Sequence, residues 1–267
     1  MNTTEIRKTL ADGGIVLGNE VHVIRSAVVA EIYKAAGFDF IMIDCEHTGL
    51  DFGEVTEIAR VARLTGIAPF VRVPEVSYSA VCRSIDQGVQ GIIVPRVETA
   101  DQAAAVRDMI KYPPLGRRGM YPGASSIERY RDVDPKAYVE EANRSTMLAI
   151  MVESEPAVKA LESILAVPGI DLILVGPADL STSVGVPCQV DHERVVSLMD
   201  EVVGKCRKAG IPCGTAHGDP DFIRRWIGRG MQFFWVGNDV FLLLKAAREQ
   251  LALIRQADPH KRQIPGD

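Results

Sequence analysis

Short apolar runs recur along the chain, each preceded by a helical pattern that ends at glycine. Gly37 comes before Phe38–Ile43, Gly66 before Pro69–Val73, and Gly88 before Gly91–Val94. Gly169 comes before Asp171–Val175, Gly210 before Ile211–Gly214, and Gly230 before Gln232–Val236. Glycine just past a helix end adopts the left-handed conformation without steric cost, so it stops the helix and turns the chain. Two further runs, Ile15–Gly18 and Met147–Val152, bring the predicted strands to eight. They are short and rich in Val and Ile, as suits strands of a parallel sheet covered on both faces. Helical spacing fills the intervals, as in Ser26–Ala36, Glu54–Leu64, Ala80–Gln87, Ala100–Ile110 and Glu193–Ala209. Eight alternations of strand and helix predict an α/β fold closed as a (β/α)8 TIM barrel rather than an open sheet. The stretch from Tyr112 to Ser145, between the fourth and fifth strands, is too long for a simple connection. Its Pro113-Pro114, Gly116 and Gly119 predict an ordered loop, either a lid or a subunit contact.

Composition narrows the class without changing that picture. The 267 residues suit one barrel domain over residues 1–267, with 47% apolar and 24% charged positions. A net charge of −5 with no long basic run argues against a nucleic-acid partner. The pairs Arg117-Arg118 and Arg224-Arg225 are too short to alter that. Five cysteines, an odd number with no C-x-x-C pair, make neither a disulfide framework nor a zinc ribbon, and predict reduced thiols in a cytoplasmic protein. The N-terminus shows no signal-peptide pattern, and no apolar run approaches the roughly 18 residues that span a bilayer.

In a parallel barrel the active site forms where the strands end, at the C-terminal face. The residues there are Asp44-Cys45-Glu46-His47, Arg72, Pro95-Arg96, Glu153, Gly176-Pro177-Ala178-Asp179, Gly214-Thr215-Ala216-His217 and Gly237-Asn238-Asp239. Glu153 and Asp179 end adjacent strands, and two carboxylates in one cleft call for a cation between them, such as Mg²⁺ or Mn²⁺. The alternative is that Asp179 caps a helix starting near Leu180 while Glu153 pairs with a surface arginine. Arg72 suits an anion or enolate oxygen, or else a structural ion pair with Asp44 or Glu46. His47, among acids at a strand end, suits general acid–base work, although a lone histidine is more often structural than catalytic. His217 has a weaker claim of the same kind, and His22, His192 and His260 lack such a context. Cys45 sits between Asp44 and Glu46, which disfavour a thiolate, so it is assigned to packing. None of the nine lysines falls at a predicted strand end, which removes the Schiff-base route and leaves a metal as the electron sink.

These residues resemble the class II, metal-dependent pyruvate aldolases, typified by hydroxy-oxoheptanedioate and dehydrodeoxyglucarate aldolases. The resemblance is carried by Gly37-Phe38-Asp39-Phe40-Ile41-Met42-Ile43-Asp44-Cys45-Glu46-His47, by Val175-Gly176-Pro177-Ala178-Asp179-Leu180-Ser181, and by Tyr112-Pro113-Pro114-Leu115-Gly116-Arg117-Arg118-Gly119. It implies a barrel of the phosphoenolpyruvate/pyruvate-domain type and an enzyme that makes or cleaves 4-hydroxy-2-oxo acids through a pyruvate enolate and an aldehyde. It further implies that His47 is the acid–base residue, with Asp86 raising its basicity, and that Arg72 stabilises the enolate. Glu153 and Asp179 would hold the metal (Mg²⁺, Mn²⁺ or Co²⁺), and Ala178 would contact the substrate through its backbone. Three departures stand out: Cys45 in place of the frequent glycine, Met151 in place of a frequent substrate-contacting glutamine, and the segment Asn19-Glu20-Val21-His22 after the first strand. Two other readings stay open, an acyl-CoA lyase-like carbon–carbon lyase and a non-catalytic barrel that binds a 2-oxo acid. The resembled family also implies a homo-hexamer, a trimer of dimers with the last helix exchanged between subunits. The run Val240-Phe241-Leu242-Leu243-Leu244 fits a helix that needs a second surface, or one that fills its own barrel's outer layer.

Overall fold

In this computed structural model, which describes residues 1–121 and 132–257, eight parallel strands close in chain order into a barrel. They are β1 (Val16–Val21), β2 (Phe40–Asp44), β3 (Ala68–Arg72), β4 (Gly91–Val94), β5 (Met147–Val152), β6 (Leu172–Val175), β7 (Cys213–Ala216) and β8 (Phe233–Asn238). Around them run α1 (Thr3–Ala11), α2 (Val28–Ala35), α3 (Phe52–Thr65), α4 (Tyr78–Asp86), α5 (Ala100–Ile110) and α6 (Pro135–Ser145). The outer layer continues with α7 (Glu155–Leu165), α8 (Pro177–Ser183), α9 (Glu193–Ala209), α10 (Pro220–Arg229) and α11 (Asp239–Arg255). The punctuating glycines Gly37, Gly66, Gly88, Gly169, Gly210 and Gly230 all have positive φ, as their role as helix stops requires.

The barrel has two cores because strand side chains alternate between faces. Outward-facing residues of the strands pack under the helices. Inward-facing ones form a separate interior that includes Val16, Phe40, Met42, Phe70, Met147, Met151, Leu174, Phe233 and Trp235, plugged at the foot by Ile6 and Leu10 of α1. Small residues make room for large ones there. A Cβ at Gly18 would lie 2.4 Å from the Phe40 ring and one at Gly91 2.1 Å from the Phe70 ring, while Phe40 and Phe233 stack with centroids 4.2 Å apart. Continuing the same alternation upward sets the next inward layer. Val16 and Gly18 lead to Glu20, Phe40 and Met42 to Asp44, Ala68 and Phe70 to Arg72, and Ala149 and Met151 to Glu153.

Three expectations need correction. Strand β1 runs on to Val21 instead of stopping at Gly18, with a register shift against β8 between Gly18 and Glu20. Asn19-Glu20-Val21-His22 is therefore the strand and its end, not a loop beyond it. Strands β7 and β8 begin later and end later than the hydropathy runs, since Ile211-Pro212 and Gln232 belong to the turns that enter them. The long connection after β4 also contains a helix, α6, started by Pro135 and capped by Asp134, whose side chain accepts from the Ala137 N–H. His260 lies outside the described residues.

Close approach of backbone and glycine gives a direct test. A Cβ at Gly214 would sit 1.7 Å from the Phe233 carbonyl oxygen, whereas one at Gly204, inside α9, would meet nothing within 4 Å. Gly214→Ala should lower stability by at least about 1–3 kcal/mol, the usual cost of overpacking. Gly204→Ala should raise it by about 0.5–1 kcal/mol through helix propensity. Denaturant unfolding of both variants checks the pair, and equal effects would contradict the packing described here.

Candidate active site

The polar inner layer at the strand ends is organised by an ion pair. Arg72, only 7% exposed, donates through Nε to Asp44 Oδ1 at 2.8 Å. Its Nε also lies 3.4 Å from Glu46 Oε2, and its guanidinium lies over the Trp235 ring at 5.8 Å. Asp44 is fully buried and takes backbone N–H groups from Glu46 and His47 as well. Burial alone would raise its pKa, but the Arg72 guanidinium and those amides outweigh it and hold the carboxyl below its ordinary range. The pairing anticipated for Arg72 is thus present. The Nη groups of Arg72 nevertheless have no acceptor among the described residues, so they are left for something in the barrel mouth.

Glu153 follows β5 and is 7% exposed. Its Oε2 accepts the backbone N–H of Arg96, a residue held at positive φ, and not a surface guanidinium. Burial pushes its pKa up to about 7, with repulsion from Asp179 and Glu46 adding to the rise. Its Oε1 lies 2.6 Å from where a Cβ would stand on Gly176, so a side chain there would displace the Glu153 carboxylate. Asp179 lies in the first turn of α8, which begins at Pro177 after Gly176 and carries no side-chain cap. The capping role is therefore excluded. Asp179 makes no hydrogen bond or ion pair with any described residue. Two neighbouring carboxylates, one buried and reluctant to ionise and one without a partner, fit a hard divalent cation held between them.

The histidines divide differently from expectation. His47 has a half-exposed side chain, and its one charged neighbour among the described residues is Glu46, with Oε2 3.6 Å from its Nε2. Asp86 is not brought to it within the chain; it accepts from buried Arg118 and lies 3.6 Å from Cys82 Sγ. His217 stacks on Phe222 and accepts the Asp219 N–H, a packing and turn role. His22, which has no catalytic context in the sequence, directly follows β1 with Nδ1 2.8 Å from Glu20 Oε1 and 4.0 Å from Asp44. Glu20, 8% exposed, has its pKa raised by burial and then by Asp44. The sequence signal for Glu20 is period-two alternation: Val16, Gly18, Glu20 is the inward row of β1, which a strand ending at Gly18 leaves out. Asp239 was legible only as a strand-end acid. It accepts from the His22, Val23 and Ile24 amides and so fastens the loop after β1 to the end of β8.

Two further expectations can be placed. Burial, with Asp44 next, pushes the Cys45 thiol up to about 12, in keeping with a packing role. The buried lysine, Lys111, is at the opposite end of the barrel, where it donates to the carbonyls of Asn143 and Thr146. Met151 is buried in the barrel interior beneath Glu153, giving the mouth an apolar floor.

Comparison with known proteins gives a consistent answer. The family model described as HpcH/HpaI aldolase/citrate lyase matches residues 24–246. The chain is 32% identical over 230 residues to a 2-dehydro-3,6-dideoxy-6-sulfogluconate aldolase of Pseudomonas putida, covering 86% of this chain and 89% of that one. It is equally 32% identical to a 2-keto-3-deoxy-L-rhamnonate aldolase of Salmonella gallinarum, covering 86% and 85%. Among solved structures, an HpcH/HpaI aldolase from Desulfitobacterium hafniense superposes with a TM-score of 0.90 at 29% identity, covering 96% of this chain and 99% of that chain.

The raised Glu153 pKa has a consequence for stability. A carboxyl whose folded pKa lies above its unfolded value stabilises the fold fully below the unfolded pKa, and that contribution is lost as pH rises through the folded pKa. In chelator-treated protein, stability should therefore fall by up to about 3 kcal/mol between about pH 4.5 and about pH 7, read as a falling melting temperature. Glu153→Gln should flatten this slope. An identical slope in parent and variant would show that Glu153 does not carry it.

Proposed function

Since the chain belongs to the HpcH/HpaI aldolase/citrate lyase family, we propose that it is a metal-dependent aldolase that splits a 4-hydroxy-2-oxo acid of the 2-keto-3-deoxy class into pyruvate and an aldehyde. The observation that carries this reading is buried Glu153 beside unpartnered Asp179, with the Arg72 guanidinium close enough to act on Glu153 electrostatically. Both are hard oxygen donors, a set that suits Mg²⁺, Mn²⁺ or Co²⁺ rather than a softer ion. Such an ion, when bound, supplies Lewis-acid stabilisation of the negative charge that develops on the 2-oxo group.

The chain's own groups supply the remainder. The Ala178 amide, in the first turn of α8, has no intrahelical acceptor and receives the substrate carboxylate. Arg72, fixed through Nε by Asp44, turns its free Nη groups to the developing enolate oxygen. His47 Nε2, with Glu46 beside it, takes the C4 hydroxyl proton. The C3–C4 bond then breaks, the aldehyde departs, the electron pair passes to the enolate, and protonation at C3 gives pyruvate. Within one chain Glu46, not Asp86, is the carboxylate next to His47.

The same reading extends to assembly and location. Helix α11 buries only Asp239, and its Phe241, Leu243, Leu253 and Ile254 are each more than 60% exposed. Its place in the outer ring would be beside α2, whose Val28 and Ile32 are also exposed. Two uncovered apolar faces, one on a projecting helix and one where that helix would lie, support exchange of α11 between subunits, within the homo-hexamer, a trimer of dimers, that the family resemblance implies. Free cysteines and the absence of a helix able to cross a membrane among the described residues are compatible with the cytoplasm.

Pyruvate release from 4-hydroxy-2-oxo acids, coupled to lactate dehydrogenase, tests the activity. Chelator should abolish it and Mg²⁺, Mn²⁺ or Co²⁺ should restore it; full activity in chelator, with borohydride trapping pyruvate on the protein, would refute the metal mechanism. Arg72→Lys should fold but lose roughly a hundred- to thousandfold in rate, about 2.7–4 kcal/mol, because an ammonium cannot hold Asp44 and the enolate together. A loss below threefold would make Arg72 peripheral. Light scattering should give a mass several times 29.1 kDa, and a fully active monomer would rule out the exchanged assembly as a requirement.

A further inference from the structure

The end of β1 brings a carboxyl–imidazole pair to the barrel mouth, and the reading above assigns it no role. Glu20 is buried near the end of β1, where Asp44 and Arg72 act on it electrostatically. Ligand atoms of Glu20, His22 and Asp44 lie within 4.8 Å of one another. A cation among these three is disfavoured. Asp44 already receives Arg72 Nε and the amides of Glu46 and His47, and a metal there would lie against a guanidinium. His22 keeps one side of its ring turned to Glu20 and remains partly open to solvent. A second feature also points to a ligand in this space. The Arg72 side chain is more than nine-tenths buried yet has no acceptor for its Nη groups, and buried Glu46 Oε2 has no hydrogen-bond partner.

Charge decides what kind of group fits beyond the pyruvate half. Glu20, Asp44, Glu46, Glu153 and Asp179 gather around the mouth with Arg72 and Arg96. Arg72 is held through Nε by Asp44 and lies beside Glu46, while Arg96, 70% exposed, reaches Glu46 through Nε at 3.3 Å. The other arginine near the β1 end, Arg25, is paired with Glu54. An anionic aldehyde at the β1 end would face the buried Glu20 carboxyl with Asp44 beside it, and the guanidinium that acts on Glu20, Arg72, is already shared with Asp44 and Glu46. A neutral aldehyde carrying hydroxyl groups would find an acceptor in Glu20 and a donor or acceptor in His22.

We propose that Glu20 and His22 are specificity-determining residues that select a neutral, hydroxylated aldehyde and reject an anionic one. This rests on the pyruvate-aldolase reading and adds the chemical class of the second substrate. Like charge across a binding site discriminates by repulsion as well as by lost contacts, which gives selectivity larger than one hydrogen bond alone.

The experiment measures kcat/KM for pyruvate addition to glyceraldehyde and glycolaldehyde against glyoxylate and succinic semialdehyde, in parent enzyme, Glu20→Gln and His22→Asn. The parent should favour the neutral hydroxyaldehydes by at least about tenfold, and Glu20→Gln should shrink that ratio by about tenfold. His22→Asn, at a more open position, should lower glyceraldehyde against propionaldehyde, which lacks the hydroxyls. A ratio within twofold of the parent in both variants, or a parent that prefers the anionic aldehydes, overturns the proposal. Hydrogen–deuterium exchange at pyruvate C3 in the parent separates the two levels. Exchange with unaltered ratios refutes the selectivity alone, while no exchange with any added divalent metal refutes the aldolase reading and the selectivity with it.

Discussion

The buried pair of Asp44 and Arg72 is the interaction around which the mouth of this barrel is arranged. A guanidinium at 7% exposure is tolerated only with anionic partners, and Asp44 at full burial is tolerated only with donors. Each meets the other's requirement at 2.8 Å, and removing either would leave an unpaired charge at a cost of about 3–5 kcal/mol. The geometry leaves a surplus. Because Arg72 is held through Nε, its planar fork has a fixed orientation, and under the proposed mechanism its donors are in place before substrate binds.

That pair can sit where it does because the barrel below it is solid. Rings of Phe40, Phe70 and Phe233 fill the interior where Gly18 and Gly91 leave room, so the polar layer rests on an apolar floor that excludes water from beneath. Asp239 completes the rim by gathering three amides of the loop after β1, which ties the first strand's end to the last strand's end. Closure of the sheet is thus matched by closure of the loop layer, and His22 is held at the mouth as a result.

Helix α11, 17 residues long, buries only Asp239 and leaves Phe241, Leu243, Leu253 and Ile254 each more than 60% exposed. An interface on α11 would also bear on the site, since α11 starts one residue after β8 ends, at Asp239 itself.

The periodicity of the chain determined the architecture: six glycine stops, Val/Ile-rich runs and helical intervals have a single closed solution, and strand ends then marked Arg72, Glu153, Asp179 and His47. Those are local signals, readable because a strand or helix stop depends on a few neighbouring residues. What only the tertiary structure decided are the pairings across strands. Arg72 had two possible carboxylates and takes Asp44 first; Asp86 goes to Arg118 and not to His47; Asp179 stands free instead of capping a helix. Glu20 was hidden by a strand end placed three residues early at Gly18, where a glycine that makes room for the Phe40 ring looks, in one dimension, like a turn. Partner choice depends on which side chains the barrel's closure brings within a few ångströms, and residues 28 or 57 positions apart carry no local mark of meeting.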